Sequence, residues 1–335
     1  MAEAGLTIFD GSHLSDVDVS LPSPPIDTPI TGAEVLQLAE TRASLSLLGF
    51  VLPETLKSSA IRRIGVSDTA GFLSKKLDHT DACTILRNYI SAIADELKDD
   101  PIAVTILDGG SLNMFLEDED DFAMLAENLF TDLDVEDTGK ISKDEIQSAL
   151  AHMGIESGVP SVSEYPQLND ILKKHGAAGK EELGQAQFAQ LLQHVLQELA
   201  DSLAKKPVVV VLRSIKLANG SKLRKLLAKE RLLDDAVKKI TEENFECSGD
   251  QSRATHIKSY LKNHEDDFGL PPSQLPEMTA LFDEIFTEVE SENDAAESGR
   301  DSSAVFLKKI LEKIAEKLEA NPILYDIQLP QLGEA

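Results

Sequence analysis

Three times along this chain an amphipathic helical pattern runs into a leucine, three further residues and a proline, and then into a short apolar run. The copies are ILRNYISAIADELKDDPIAV (85–104), LLQHVLQELADSLAKKPVVV (191–210) and FLKKILEKIAEKLEANPILY (306–325), closing on Pro101, Pro207 and Pro322. A proline there ends the helix, because it removes a backbone donor and disfavours α geometry in the residue before it. Repetition on this scale sets the architecture before any single motif does.

The likeness extends beyond the helices. One constant shift places Leu112 on Leu223, Phe115 on Leu226, Leu116 on Leu227, Leu129 on Ile240, Ile146 on Ile257 and Leu150 on Leu261, and YPQLNDIL (165–172) matches LPEMTALF (275–282). The organisation expected is a flexible Pro-rich arm over 1–31, a helical half-unit over 32–107 and two full units over 108–217 and 218–335. The runs after the prolines (IAVTIL, VVVVLRSI, ILYDIQL) have strand-like composition, and read equally as short strands or as extended linkers pinned to helices. Trp is absent and aromatics are 5%, so the core must be mostly aliphatic, which favours helices.

Charge narrows the functional classes. The formal net charge is −27, a surface that repels phosphate backbones and argues against nucleic acid as a partner. Cations and basic peptides suit it better. Cys83 and Cys247 form no CxxC pair or disulfide framework, as expected in a reducing compartment. The start MAEAGLTIFDG has no signal-peptide pattern, Ala2 excludes N-myristoylation, and the purely apolar stretch Val208 to Leu212 is far too short to span a bilayer. A cytoplasmic protein is the expectation.

One segment carries ligand chemistry. In AENLFTDLDVEDTGKISKDEIQSAL (126–150), two amphipathic stripes flank a loop with Asp134 at its start, Gly139 at its middle and Glu145 at its end. This segment resembles an EF-hand, a helix–loop–helix with a 12-residue loop that binds calcium through oxygens. The resemblance implies ligands at Asp134, Glu136, Thr138, Lys140 (through its carbonyl), Ser142 (through a water) and Glu145, with Ile141 at the apolar position whose backbone pairs with a partner loop. Glu136 and Thr138 stand where the pattern prefers Asp or Asn, which implies weak affinity, on the order of 10⁻⁶–10⁻⁴ M. The resemblance is specific over about 120–150 and faint over 160–200, where GAAGKEELGQAQ (176–187) keeps Leu183 at the pairing position but has lost its carboxylates. That loop is expected to be a structural partner that binds nothing.

Elsewhere the ligand logic fades. The constant shift carries Asp134 to Phe245, Glu136 to Cys247, Gly139 to Asp250 and Glu145 to His256, and ESENDAAESGRDSS (290–303) reads as a flexible acidic loop. EDEDD (117–121) reads as acidic surface at a helix start. The basic run RSIKLANGSKLRKLLAKER (213–231) reads either as a helix for an anionic surface or, better, as a core element through Leu223, Leu226 and Leu227. No zinc, phosphate-loop or triad arrangement is visible, so nothing points to an enzyme.

The chain as a whole resembles larger plant EF-hand family proteins with one recognisable loop among degenerate ones. The fold expected is mainly α, in tandem EF-hand-like helix–loop–helix units with a few short strands. The function implied is a calcium (Ca²⁺)-responsive adaptor or sensor with a protein partner of unknown identity and no integral membrane segment. The rival is a calcium-independent helical scaffold.

Overall fold

A computed structural model describes residues 5–21, 30–229, 253–292 and 300–327, together with isolated positions between 231 and 239. The fold is mainly helical with a few short strands. It divides into two units, one comprising Met1–Ala94 and Ala103–Leu212, the other Asp95–Ile102 and Arg213–Ala335.

The first unit opens with β1 (Leu6–Phe9), a 3-10 turn at Ser12–Leu14, β2 (Ile30–Thr31), α1 (Gly32–Ser46), α2 (Glu54–Arg63), α3 (Thr69–Ser74) and β3 (Lys76–Leu77). There follow α4 (His79–Asp99) and β4 (Ile102–Leu107), then α5 (Gly110–Glu117), α6 (Glu119–Leu133), β5 (Ile141–Ser142) and α7 (Glu145–Met153). A second 3-10 turn, Ile155–Ser157, precedes α8 (Leu168–Lys174), β6 (Glu182–Leu183), α9 (Gln185–Lys205) and β7 (Val208–Val211). The post-proline runs are strands: β4 pairs antiparallel with β7, Val104 opposite Val211 and Leu107 opposite Val208, in a sheet of order β1-β4-β7.

The N-terminal segment differs from the extended arm expected of it. Leu6–Phe9 joins that sheet, and Phe9 is fully buried, its ring 5.5 Å from that of Phe50. Apolar side chains either side of a tight Asp-Gly turn are enough to anchor so short a strand once a neighbour supplies its hydrogen bonds. Most of the Pro-rich stretch lies outside the described residues.

The first repeat is therefore longer than the sequence comparison suggests. It runs from β1 to β4, and the second from β4 to β7, so β4 closes one and opens the next. In each, the opening strand leads into an Asp-Gly turn (Asp10-Gly11, Asp108-Gly109) whose aspartate Oδ1 accepts the N–H two residues on, from Ser12 at 3.0 Å and Gly110 at 2.9 Å. The glycines have φ +86° and +82°, and a Cβ on them would lie 2.2 Å from the Ala94 carbonyl oxygen and 2.4 Å from that of Ala200. Both alanines sit on the long helix that ends at the repeat's proline. A small two-residue ribbon also recurs: Ile30 faces Leu77 in the first repeat and Ile141 faces Leu183 in the second.

The core of the second repeat gathers Leu112, Ile146, Leu150, Phe188, Leu192 and Leu196, all buried to 2% exposure or less. One flaw stands in the sheet. Thr105, on the central strand, is 2% exposed and its hydroxyl has no hydrogen-bond partner. A buried unsatisfied hydroxyl costs about 1–3 kcal/mol, and removing it removes that cost. Thr105→Val is expected to leave the fold unchanged and to raise stability by about 1 kcal/mol in urea unfolding.

The second unit contains β8 (Ile215–Ala218), α10 (Ser221–Leu227), α11 (Arg253–Asn263), α12 (Glu265–Phe268), α13 (Pro276–Glu292), α14 (Arg300–Ala320) and β9 (Ile323–Asp326). It repeats the same construction. β8 pairs antiparallel with β9, Asn219 accepts the Ser221 N–H at 3.1 Å, and Gly220 (φ +76°) comes as close to the Ala315 carbonyl as its counterparts do to theirs. Leu223, Ile257, Leu261, Met278 and Phe282, matched in sequence to Leu112, Ile146, Leu150, Leu168 and Leu172, are buried like them. The basic run proves to be a core element: Leu223 is 1% exposed and Leu226 and Leu227 pack against the same cluster. Three of its cations are paired within the unit, Lys222 with Asp100 at 3.8 Å, Arg224 with Glu319 at 2.8 Å and Lys225 with Asp99 at 2.5 Å.

Candidate metal centre

The loop between α6 and α7 begins where the helix runs out. Asp118 caps the start of α6 by accepting the N–H groups of Asp120 and Asp121, and Glu119, Asp120 and Asp121 occupy its first turn, where negative charge is favourable. Thus the EDEDD run serves the helix start. The last turn of α6 leaves Asp134 as its C-cap, its N–H donating to the Phe130 carbonyl at 2.9 Å.

From there the chain turns through two left-handed residues, Asp137 (φ +51°) and Gly139 (φ +69°). Nothing lies within 4 Å of where a Gly139 Cβ would be, so the backbone angle and not crowding calls for glycine. The Asp134 carboxylate holds the turn together. Its Oδ1 accepts the Thr138 N–H at 2.9 Å and its Oδ2 the Gly139 N–H at 2.7 Å. Those bonds, that from the Thr138 backbone foremost, keep its carboxyl below the usual range.

The Thr138 hydroxyl lies 3.0 Å from Asp134 Oδ1 and 2.9 Å from the Lys140 carbonyl oxygen, and its one proton can serve either. Beyond it, β5 pairs with β6, Ile141 opposite Leu183 and Ser142 opposite Glu182, so the loop 134–145 and the loop 176–187 are joined as the resemblance implies. The Lys143 N–H donates to the Glu181 carbonyl at 2.9 Å, and the Asp144 N–H to that of Gly179 at 3.0 Å. Lysines of the first loop meet glutamates of the second: Lys140 with Glu182 at 3.1 Å, and Lys143 with Glu181. Exposed pairs of this kind contribute about 0–1 kcal/mol each, and sequence spacing alone gave no sign of them.

The six positions thus fit a hard cation in kind, since each offers oxygen, but they are not drawn together. Among the described residues no three His, Cys, Asp or Glu side chains stand close enough to hold a metal ion. Glu136, Thr138 and Lys140 are exposed, and Asp134, Ser142 and Glu145 are half-buried. A cation would have to gather Glu136 and Glu145 and take the Lys140 carbonyl from the Thr138 hydroxyl.

The second loop has no such set. Gly176 (φ +69°) ends α8, and His175 beside it bonds Glu198 of α9 at 2.6 Å, with Lys174 on the other oxygen at 2.7 Å. Lys174 and then His175 hold the Glu198 carboxyl below its usual range. The positions to which the repeat carries the ligands, Phe245, Cys247, Asp250 and His256, lie outside the described residues except for His256 on α11; of the stretch 290–303 read as a loop, the two ends belong to α13 and α14 and residues 293–299 lie outside the described residues. No described helix is long and apolar enough to cross a membrane. Comparison with protein-family models, with curated proteins and with solved structures finds no match to this chain.

Proposed function

We propose that this chain is a calcium-binding protein of the EF-hand kind, built from tandem helix–loop–helix pairs and not an enzyme. In this reading the loop Asp134–Glu145 takes one calcium ion and α7 relays its presence to a protein partner. The observation that supports it is the frame of the loop: Asp134 organises the N–H groups of Thr138 and Gly139, and the Ile141–Leu183 ribbon ties the loop to a second helix–loop–helix. Glu145 is the first residue of α7, and Ile146, Ala149 and Leu150 on that helix are buried. Drawing the Glu145 carboxylate toward an ion would therefore shift a helix anchored in the core.

The test is calorimetric titration of the full chain with calcium, joined to hydrogen exchange over 126–150. Binding of about one ion, with altered protection in that segment, is the expected result. A flat titration would overturn it. The reading left would be a calcium-independent scaffold, which one feature favours: Asp134, Thr138 and Lys140 already satisfy one another, and Lys140 pairs with Glu182.

A further inference from the structure

The closing strand of the second unit borders an apolar groove of about 460 Å³. One wall is a single face of α13, where Glu277, Ala280, Leu281 and Glu284 follow one another at helical spacing. The other is the end of α14 and the start of β9, through Pro322, Ile323 and Leu324. Leu324 is 44% exposed and Ile327, just past the strand, 37%. Leu324, exposed beside the half-buried Leu281 across the groove, leaves aliphatic surface that water does not stabilise.

Two further observations say what suits this surface. First, β9 hydrogen-bonds to β8 on one edge and to no other strand among the described residues. Its counterpart β4 has a strand on both sides. An edge of this sort presents unpaired backbone groups to an extended segment. Second, the surroundings are acidic. Glu277 and Glu284 stand on the groove wall, and Asp326 is exposed on the strand itself. Burial and then the charges of Asp266, Asp100 and Glu265 push the Tyr325 hydroxyl of β9 above its ordinary pKa. The one lysine on the wall, Lys317, is already paired with Glu284.

We propose that β9 and the adjoining groove form a docking strip for a short basic segment of a partner protein. The segment lies extended along the free edge of β9, with an aliphatic side chain seated between Leu281 and Leu324 and lysine or arginine side chains facing Glu277 and Asp326. Nothing in this arrangement draws on the loop 134–145, so it stands apart from calcium binding.

The experiment uses the full chain in chelator and a fluorescent peptide of alternating valine and lysine, with a valine–glutamate peptide as its control. Polarisation should report binding of the first peptide and none of the second. Leu324→Lys and Glu277→Lys should each weaken binding by about tenfold or more, since both positions touch the ligand. Glu127→Lys, an equal charge change on the exposed face of α6, should leave it unchanged. Equal weakening by all three variants would overturn the proposal in favour of diffuse attraction to an acidic surface, and absence of binding to the native chain would overturn it outright. Self-association that Leu324→Lys abolishes would also overturn it, by showing that a second copy fills the groove.

Discussion

Glu145→Gln should weaken calcium binding by on the order of 100-fold while leaving the fold intact. The substitution keeps the size of the side chain and removes the charge that would close the shell from the far end of the loop. With Thr138 neutral where a carboxylate is preferred, the ligand positions carry only Asp134, Glu136 and Glu145 to balance a divalent ion, so a third of the ligand charge goes with Glu145. The structural loss is small: a half-buried carboxylate in the first turn of α7 contributes about 0.3–1 kcal/mol through the helix dipole. Calorimetry beside urea unfolding separates the two effects. If the variant bound calcium as the native chain does, the ion would be held elsewhere on a protein of charge −27, and the loop would lose its role.

Gly109→Ala should destabilise the first unit by about 3 kcal/mol or more. Two costs add there. The residue has φ +82°, and its new Cβ would stand 2.4 Å from the Ala200 carbonyl oxygen and 3.0 Å from the Ala200 Cα, all backbone that cannot swing aside. Gly49 supplies the control. Its φ is +84° with nothing within 4 Å, so Gly49→Ala bears the conformational cost alone, about 1–2 kcal/mol. The difference between the two variants in denaturant midpoint measures the close approach of the turn to α9. Equal effects would show that α9 gives way easily and that the contact does not order the repeat.

These glycines also show how far the sequence could be read. Helices and core positions were legible because apolar spacing carries them: Ile257 and Leu261, matched by shift to Ile146 and Leu150, are buried as those are. The pairing of Ile141 with Leu183 is the one that the resemblance to an EF-hand implies. The first strand, β1, was missed because its four residues Leu6–Phe9 carry too little pattern to be told from a linker. A signal was present in FDGSHL, LDGGSL and ANGSKL, where a turn glycine precedes a buried leucine (Leu14, Leu112, Leu223) by three residues. Taken singly, each is only a turn. In the candidate site the turn at Gly139 and the joining of the two loops were legible, whereas the Thr138 hydroxyl bonded within the loop and the lysine–glutamate pairs across the ribbon depend on side-chain directions that spacing does not encode.

The double duty of β4 has a consequence for how such a chain can be taken apart or grow. A cut anywhere in Ile102–Leu107 would rob the first repeat of its last strand or the second of its first, so neither could be excised, swapped or lost whole without maiming its neighbour. Between β7 and β8 the chain spends three residues, Leu212–Ser214, that belong to no strand, and each side keeps a full clasp of its own. A break there cuts no strand, yet it would part Arg213–Ala335 from Asp95–Ile102, which belongs to the same unit and whose Asp99 pairs with Lys225, so the second unit does not come away whole at that point either.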